Sequence, residues 1–160
     1  MTNNTLGSCL CGAVKYQVTG PLRPVVACHC GQCQKTSGHH VAATSAKREH
    51  FQLLEQRGLK WFSSSVGIRR GFCQECGGNL FWDKAELRSI SIFAGTLDQP
   101  RDQPKDQPKD QPKDQPKDQL SSLQLVEHIY VQEKADYYQI TDGLPQQQGF
   151  SITAKEDEDI

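Results

Sequence analysis

The sequence predicts a single, mainly β domain with little helix. Several short runs alternate apolar and polar residues, as strands with one buried face do. Glycines separate these runs at short intervals and indicate frequent turns. Seven cysteines fall into three tight clusters, which are typical of metal sites. A metal that joins distant segments would stabilise the modest core expected from 36% hydrophobic residues.

The strand-like runs follow one another along the chain. In the first, Val14, Tyr16 and Val18 alternate with polar residues until the Gly-Pro pair at 20–21. The second, residues 25–27, leads directly into three clustered cysteines. Further strands are predicted at residues 40–44, 51–54, 59–63, 79–82, 87–94 and 123–131. No helical periodicity extends beyond about two turns, and residues 134–138 are predicted at most as one short helical turn.

A repeat interrupts the domain. Five D-Q-P-[R/K] units begin at Asp98 and are followed by Asp118 and Gln119. Proline at every fourth position removes backbone donors and restricts the preceding residue, so neither a helix nor a sheet ladder can propagate. We therefore predict one domain formed by residues 1–97 and 120–147, with residues 98–119 as an extended loop. Residues 148–160 are predicted to form an acidic C-terminal tail.

Composition excludes several classes of function. The formal net charge is −1, and no Lys/Arg stripe occurs outside the repeat, which disfavours nucleic-acid binding. No apolar run approaches the length of a membrane span. The first ten residues lack the charged start and apolar run of a signal peptide, and the cysteine count is odd. We therefore expect a cytoplasmic protein whose cysteines are reduced and bind metal or take part in catalysis.

The seven cysteines divide as four plus three. A C-x-C pair and a C-x-x-C pair can together complete the tetrahedral shell of one structural zinc. This closed site is assigned to Cys9, Cys11, Cys73 and Cys76. The remaining triple can fill three positions of a second zinc and leave the fourth position for water or substrate. This open site is assigned to Cys28, Cys30 and Cys33.

Four stretches in order carry a family resemblance. They are C-L-C-G-A-V at 9–14, C-H-C-G-Q-C-Q-K-T-S-G at 28–38, the S-S-x-x-x-x-R-x-F-C-x-x-C-G-x-x-L pattern at 64–80, and K-A-D-Y-Y-Q-I-T-D-G-L-P at 134–145. With these motifs the chain resembles the glutathione-dependent formaldehyde-activating enzyme family, which includes the centromere protein V relatives. The resemblance implies a β-tent of antiparallel sheets folded over a structural zinc, with the same four-plus-three ligand division. Relatives have a short turn in place of the repeat, so strands 87–94 and 123–131 are expected to pair or lie close together.

The resemblance also implies a carbon–sulfur lyase-type enzyme that acts on glutathione or small-thiol adducts of formaldehyde or a related electrophile. Three thiolates leave zinc with a net charge of about −1, which makes it a poor activator of water but a suitable partner for a fourth thiolate. We therefore expect one structural zinc, one labile catalytic zinc and glutathione as co-substrate. Cys28, Cys30 and Cys33 are the predicted catalytic residues.

Other candidate residues surround the open site. Arg70 could pair with a glutathione carboxylate, or it could satisfy buried carbonyls. His39 and His40 are candidates for glutathione binding, for proton transfer or for a fourth ligand, whereas His29 is expected to point away from the metal. An alternative from another class is a non-catalytic, zinc-stabilised β-tent that binds a partner. A reductase acting on oxidised sulfur is disfavoured, because its attacking cysteine would have to come from the metal-binding triple.

Overall fold

The computed structural model describes residues 4–99 and 119–150 of the 160-residue chain. Most of the repeat, residues 100–118, and residues 151–160 of the predicted acidic tail lie outside the described residues. The predicted extended loop at 98–119 therefore stays a prediction. Near the expected domain boundary at 147, the Tyr130 N–H donates to the Gly149 carbonyl oxygen at 3.0 Å.

Two sheets build the domain, which confirms the mainly β prediction. The smaller sheet has the order β1-β2-β5 and consists of β1 Thr5–Ser8, β2 Lys15–Val18 and β5 Phe51–Glu55. The larger sheet has the order β10-β3-β4-β9-β8-β7-β6. Its strands are β3 Val25–Cys28, β4 Val41–Lys47, β6 Leu59–Ser65, β7 Ile68–Cys73, β8 Asn79–Lys84, β9 Ser89–Phe93 and β10 Leu125–Ile129. Two short helices, α1 Gly31–Ser37 and α2 Gln119–Ser122, complete the elements that bear on the site.

Tyr16 joins the two sheets. Its side chain is fully buried, and its ring packs edge-on against Phe81 with centroids 5.2 Å apart. The Tyr16 hydroxyl shares a 2.7 Å hydrogen bond with Thr96 Oγ1, which satisfies the polar end of this buried ring. Gly7 lies directly over the ring, where a Cβ atom would stand 2.1 Å from Tyr16 Cζ. The Tyr16 ring can therefore lie across β1, its partner strand in the small sheet, only because position 7 carries no side chain.

β9 lies between the core and a cavity. Ile90 and Ile92 are buried on the core side, as their alternation with serines predicted. Ser89 and Ser91 line the cavity on the opposite face of the strand. β9 pairs with β4 on one edge and with β8 on the other, so both of its ladders are occupied.

The strands on either side of the repeat, which were expected to pair or to lie close together, do not pair, and β3 and β4 lie between them. β10, which lies within the predicted run 123–131, does not pair with β9, because both edges of β9 are already taken. Instead, β10 lies at the end of the sheet and pairs in parallel with β3, two strands away from β9. The other strand pairs of the described residues are antiparallel. This placement brings the chain after the repeat next to Cys28 rather than next to the strand before the repeat.

Local differences from the sequence prediction are few. The expected helical turn at 134–138 does not form; a 3-10 turn occurs earlier, at Val131–Glu133. Lys134 has φ −56° and ψ 135°, outside the helical region, and its Nζ donates to the carbonyl oxygens of Ala135 and Tyr138. β1, β7 and α1 were not predicted. No helix in the described part of the chain is both long and apolar enough to cross a membrane.

Candidate functional site

The four-cysteine cluster lies where the two sheets meet. Cys9 and Cys11 follow β1, Cys73 ends β7, and Cys76 lies in the turn before β8. The four sulfur atoms are all within 4.8 Å of one another. The Sγ–Sγ distances are 3.6 Å between Cys9 and Cys11 and 3.7 Å between Cys11 and Cys73. These spacings are far longer than a disulfide bond, and all seven cysteines are free thiols.

Two glycine turns bring these sulfurs together. Gly12 and Gly77 have φ angles of 76° and 73°, in the left-handed region that residues with a Cβ rarely adopt. The Gly77 N–H donates to the Cys73 carbonyl oxygen at 2.8 Å, which closes the turn that presents Cys76. The Val14 N–H donates to Cys9 Sγ at 3.3 Å. Backbone N–H groups of Gly78 and Cys11 lower the pKa of Cys76 to about 6, which favours the thiolate at this one position.

The open cysteine cluster, formed by Cys28, Cys30 and Cys33, lies at the junction of β3 and α1. Its three sulfur atoms are also within 4.8 Å of one another. Cys30 is the N-cap of α1, and its sulfur accepts from the Cys33 N–H at 3.4 Å. Hydrogen bonds from the Cys28 and Cys33 thiols lower the pKa of Cys30 to about 2, and the same contacts raise the pKa of Cys28. The cluster therefore favours a negative charge on Cys30 even before a cation is bound.

Both cysteine sets fit zinc. A tetrahedral ion with zinc–sulfur bonds of about 2.3 Å requires sulfurs about 3.8 Å apart, close to the two distances in the four-cysteine cluster. The open cluster offers three thiols within the same range and no fourth cysteine. Soft thiolate donors are the ligands that zinc selects over magnesium or calcium. The chemistry of the donors thus agrees with a closed site and a three-ligand site.

A cavity of about 370 Å³ adjoins the open cluster. Its floor is the face of the large sheet that carries Ser45, Ser89 and Ser91, and its rim includes Tyr130 at the end of β10. Cys28, Cys30 and Cys33 all contribute to its wall. The volume is in the range of small-molecule pockets, and its wall combines apolar side chains with a few polar groups, as such pockets do. The three thiols therefore face a space in which a small molecule can bind.

Arg70 supplies a positive charge to this cavity. Its side chain is only 6% exposed and lines the wall beside the open cluster. Nη2 donates to Gln32 Oε1 at 3.0 Å, whereas Nε and Nη1 are buried without a hydrogen-bond partner among the described residues. An arginine side chain stays protonated, and an unpaired buried charge is costly. The interpretation that Arg70 satisfies buried carbonyls thus leaves two of its nitrogens unexplained.

His39 and His40, the two candidate histidines, do not line the cavity. His39 and His40 pack together with ring centroids 4.2 Å apart, and His40 also contacts the His29 ring at 4.9 Å. His39 Nδ1 is hydrogen-bonded to the Tyr137 hydroxyl. Neither histidine is among the described residues that line the cavity. Their assignment to glutathione binding stays a prediction without support from this arrangement.

Sequence reasoning missed a row of side chains behind the open cluster. The His29 ring is fully buried and bonds Tyr138 through Nδ1 and His128 through Nε2, the latter at 2.8 Å. His128 Nε2 in turn lies 2.8 Å from Asp142 Oδ2. We refer to Tyr138, His29, His128 and Asp142 as the buried histidine chain. Burial lowers the pKa of His29 to about 4, and since both of its ring nitrogens are engaged, neither is available to a metal.

Comparison with known proteins finds one family for this chain. A family model described as glutathione-dependent formaldehyde-activating enzyme matches residues 4–111, which include all seven cysteines and Arg70. A crystal structure of a Rhodobacter sphaeroides protein is similar at 22% sequence identity and a TM-score of 0.49, over 61% of this chain and 93% of that chain. A likeness at this level carries no argument about function. No curated protein matches the chain.

Proposed function

Because the chain belongs to the glutathione-dependent formaldehyde-activating enzyme family, we propose that it is a zinc-dependent carbon–sulfur lyase. Its substrate is the adduct of glutathione, or of a similar small thiol, with formaldehyde or a related electrophile. The observation that carries the proposal is the convergence of three thiols, without a fourth cysteine, on the wall of a cavity of about 370 Å³. The seven free thiols suit a reducing compartment such as the cytoplasm.

Each cysteine set has its own task in this proposal. Cys9, Cys11, Cys73 and Cys76 hold a structural ion that joins the two sheets. The thiols of Cys28, Cys30 and Cys33 would hold a second ion at the wall of the cavity and supply three of its ligands. When bound there, zinc would stabilise the thiolate form of the substrate sulfur and fix its position.

The proposed reaction forms or breaks one carbon–sulfur bond. In the forming direction, a sulfur electron pair bonds to the carbonyl carbon of formaldehyde, and the carbonyl π pair moves to oxygen, which takes a proton from solvent. In the reverse direction, the hydroxyl loses that proton, the carbonyl forms again, and the carbon–sulfur bond breaks with its electrons on sulfur. The hydroxyls of Tyr130 and Ser91 line the cavity and offer hydrogen-bond donors for this oxygen.

Arg70 orients the substrate by binding one of its carboxylates. Nε and Nη1 are the two nitrogens without a partner, and a carboxylate can accept from two guanidinium nitrogens at once. The open cluster with its ion carries a net charge of about −1, which also compensates Arg70 but offers no pair of oxygen acceptors. A thiol that carries a carboxylate is therefore the class of substrate that this wall favours.

An exchange experiment tests the proposal. We expect the protein to accelerate the interconversion of formaldehyde and its glutathione adduct, measured by NMR exchange spectroscopy at equilibrium. Cys30→Ser should abolish the acceleration. Arg70→Gln should raise the KM for glutathione about 10- to 100-fold, because hydrogen bonds to charged groups contribute about 1.5–3 kcal/mol. It should leave the neutral thiol 2-mercaptoethanol unaffected.

Two results would contradict this account. If the wild-type protein does not change the exchange rate, the alternative of a zinc-stabilised binding module is favoured. If Arg70→Gln affects both thiols equally, Arg70 does not bind a substrate carboxylate. Arg70→Gln is expected to remain folded. Nε and Nη1 have no hydrogen-bond partner among the described residues, so their removal leaves no partner of these two atoms unsatisfied.

A further inference from the structure

His29 is the residue between two thiols of the open cluster, and all of its hydrogen-bonding groups are engaged. Its backbone N–H donates to the Ile129 carbonyl oxygen at 3.0 Å, and its own carbonyl oxygen accepts from Gln34 Nε2 at 2.7 Å. The ring bonds Tyr138 on one side and His128 on the other. His29, which joins Cys28 to Cys30, is therefore fixed by hydrogen bonds from both its backbone and its ring.

The buried histidine chain has a defined direction. The Asp142 carboxylate can only accept, so Nε2 of His128 carries a proton and donates to it. With neutral rings, His128 Nδ1 then accepts from His29 Nε2, and His29 Nδ1 accepts from the Tyr138 hydroxyl. Each ring nitrogen is satisfied in this one arrangement. The two rings at its centre are buried, and buried polar groups whose hydrogen bonds are all satisfied rigidify their surroundings.

Other contacts fix the same loop to the segment after β10. The side chain of Glu133 accepts from the Gly31 N–H at 2.7 Å, and Gln34 Nε2 also donates to the Glu133 carbonyl oxygen at 2.7 Å. The parallel pairing of β10 with β3 brings this segment into reach of the cysteine loop. Residues 128–142 thus pack against the loop that carries Cys28 and Cys30 and form hydrogen bonds with it.

We propose that the buried histidine chain is a positioning device for the open cysteine cluster. It holds the backbone of residues 28–30 so that the three sulfurs face the cavity before any ion binds. Groups that orient metal ligands typically contribute 10- to 100-fold to metal affinity. The inference rests on the proposed metal site, but it is independent of the reaction carried out there.

Two neighbouring tyrosines provide a matched pair of variants. Tyr138→Phe removes the hydroxyl at the end of the chain. Tyr137→Phe removes a hydroxyl that bonds His39, outside the chain. Cobalt titrations of the full-length protein, with zinc kept in the four-cysteine cluster, should show affinity at the open cluster about 10- to 100-fold weaker for Tyr138→Phe. Tyr137→Phe should stay within about twofold of the wild-type protein.

Asp142 gives a second test and a readout that a purely structural role would not move. Asp142→Ala should weaken cobalt binding and shift the d–d bands of the open cluster. Asp142→Asn should restore binding in part, because an amide oxygen still accepts from His128 Nε2. Melting temperature and zinc content of the four-cysteine cluster should be unchanged.

The outcomes separate the two proposals. If the wild-type protein binds two ions and both tyrosine variants bind them equally tightly, the positioning role is wrong and the proposed function is untouched. If Tyr138→Phe lowers the melting temperature and weakens both clusters together, the chain supports the fold rather than the site, and the positioning role is again wrong. If the wild-type protein binds no second ion, the proposed function itself fails.

Discussion

Cysteine-to-serine substitution should affect the stability of the fold differently in the two cysteine sets. Cys73→Ser is expected to unfold the domain, whereas Cys30→Ser is expected to leave it folded. Cys73 is fully buried at the end of β7, and its sulfur lies 3.7 Å from that of Cys11, which follows β1. The ion held there would join the small sheet to the large one. Cys30 is partly exposed in the connection from β3 to α1 and joins no second sheet.

The expected magnitudes differ by an order of magnitude. Structural zinc contributes about 10–16 kcal/mol to the folding of small metal-binding domains. A domain of this size is stable by only about 5–15 kcal/mol, so losing this ion removes most or all of its stability. At position 30, the serine hydroxyl can still accept from the Cys33 N–H, and serine is among the preferred N-cap residues. The change in the free energy of unfolding should therefore stay below about 1 kcal/mol.

Circular dichroism and metal analysis measure both effects on one preparation. Cys73→Ser should show no cooperative melting transition and should contain no zinc. Cys30→Ser should melt near the wild-type temperature and retain one equivalent, which a mild chelator does not remove. If the two variants are equally destructive, or if Cys73→Ser melts like the wild-type protein, the division into a closed and an open set is wrong.

Three further predictions concern the frame around these sites. Burial opposes ionisation of Asp83, but hydrogen bonds from Arg48 and Arg69 outweigh this effect and hold the pKa of Asp83 below its usual range. The resulting stabilisation of the fold is present above about pH 4 and is lost below it. Acid titration should therefore destabilise the wild-type protein more than the Asp83→Asn variant. Asp83→Asn itself should cost about 1–3 kcal/mol at pH 7 in urea unfolding, and no loss would contradict the ion-pair argument. Gly58→Ala should lower the melting temperature and zinc retention, because its Cβ would lie 2.8 Å from Cys73 Sγ, while Gly95→Ala, with nothing within 4 Å, should be neutral; equal effects would refute the steric account. Deleting four of the five repeat units should leave zinc content and melting unchanged, since shortening a flexible loop alters closure entropy only by about 1 kcal/mol; a loss of zinc would show that the repeat contributes to the domain.

Most of the cysteine arrangement could be predicted because it is encoded locally. The C-x-C and C-x-x-C pairs, each followed by a glycine that permits a tight turn, present their sulfurs within a few residues. Strands such as β9 could be predicted for the same reason, since alternation along one segment reports its two faces. β7 was missed because Arg69 and Arg70 interrupt its apolar pattern. Its partners explain both: Arg69 bonds Asp83, and Arg70 lines the cavity.

Long-range pairing could not be read from the sequence. The parallel register of β10 on β3 depends on which strand edges remain free once the sheet has formed. The buried histidine chain follows from that register, because only then does His128 reach His29. Tyr138 and Asp142 did appear in the motif at 134–145, but the motif alone assigned them no partner. The available signal was His29 itself, which lies between two thiols of the open cluster.

We expect the ion in the open cysteine cluster to take the thiolate of the substrate as its fourth ligand. The most direct measurement is the absorption spectrum of protein with zinc in the four-cysteine cluster and cobalt in the open cluster, during titration with glutathione. With glutathione, the sulfur-to-cobalt charge-transfer absorption should rise toward that of a four-sulfur site. With S-methylglutathione, whose sulfur cannot become a thiolate, the spectrum should not change. An unchanged spectrum at saturating glutathione, or the same change with both compounds, would contradict this expectation.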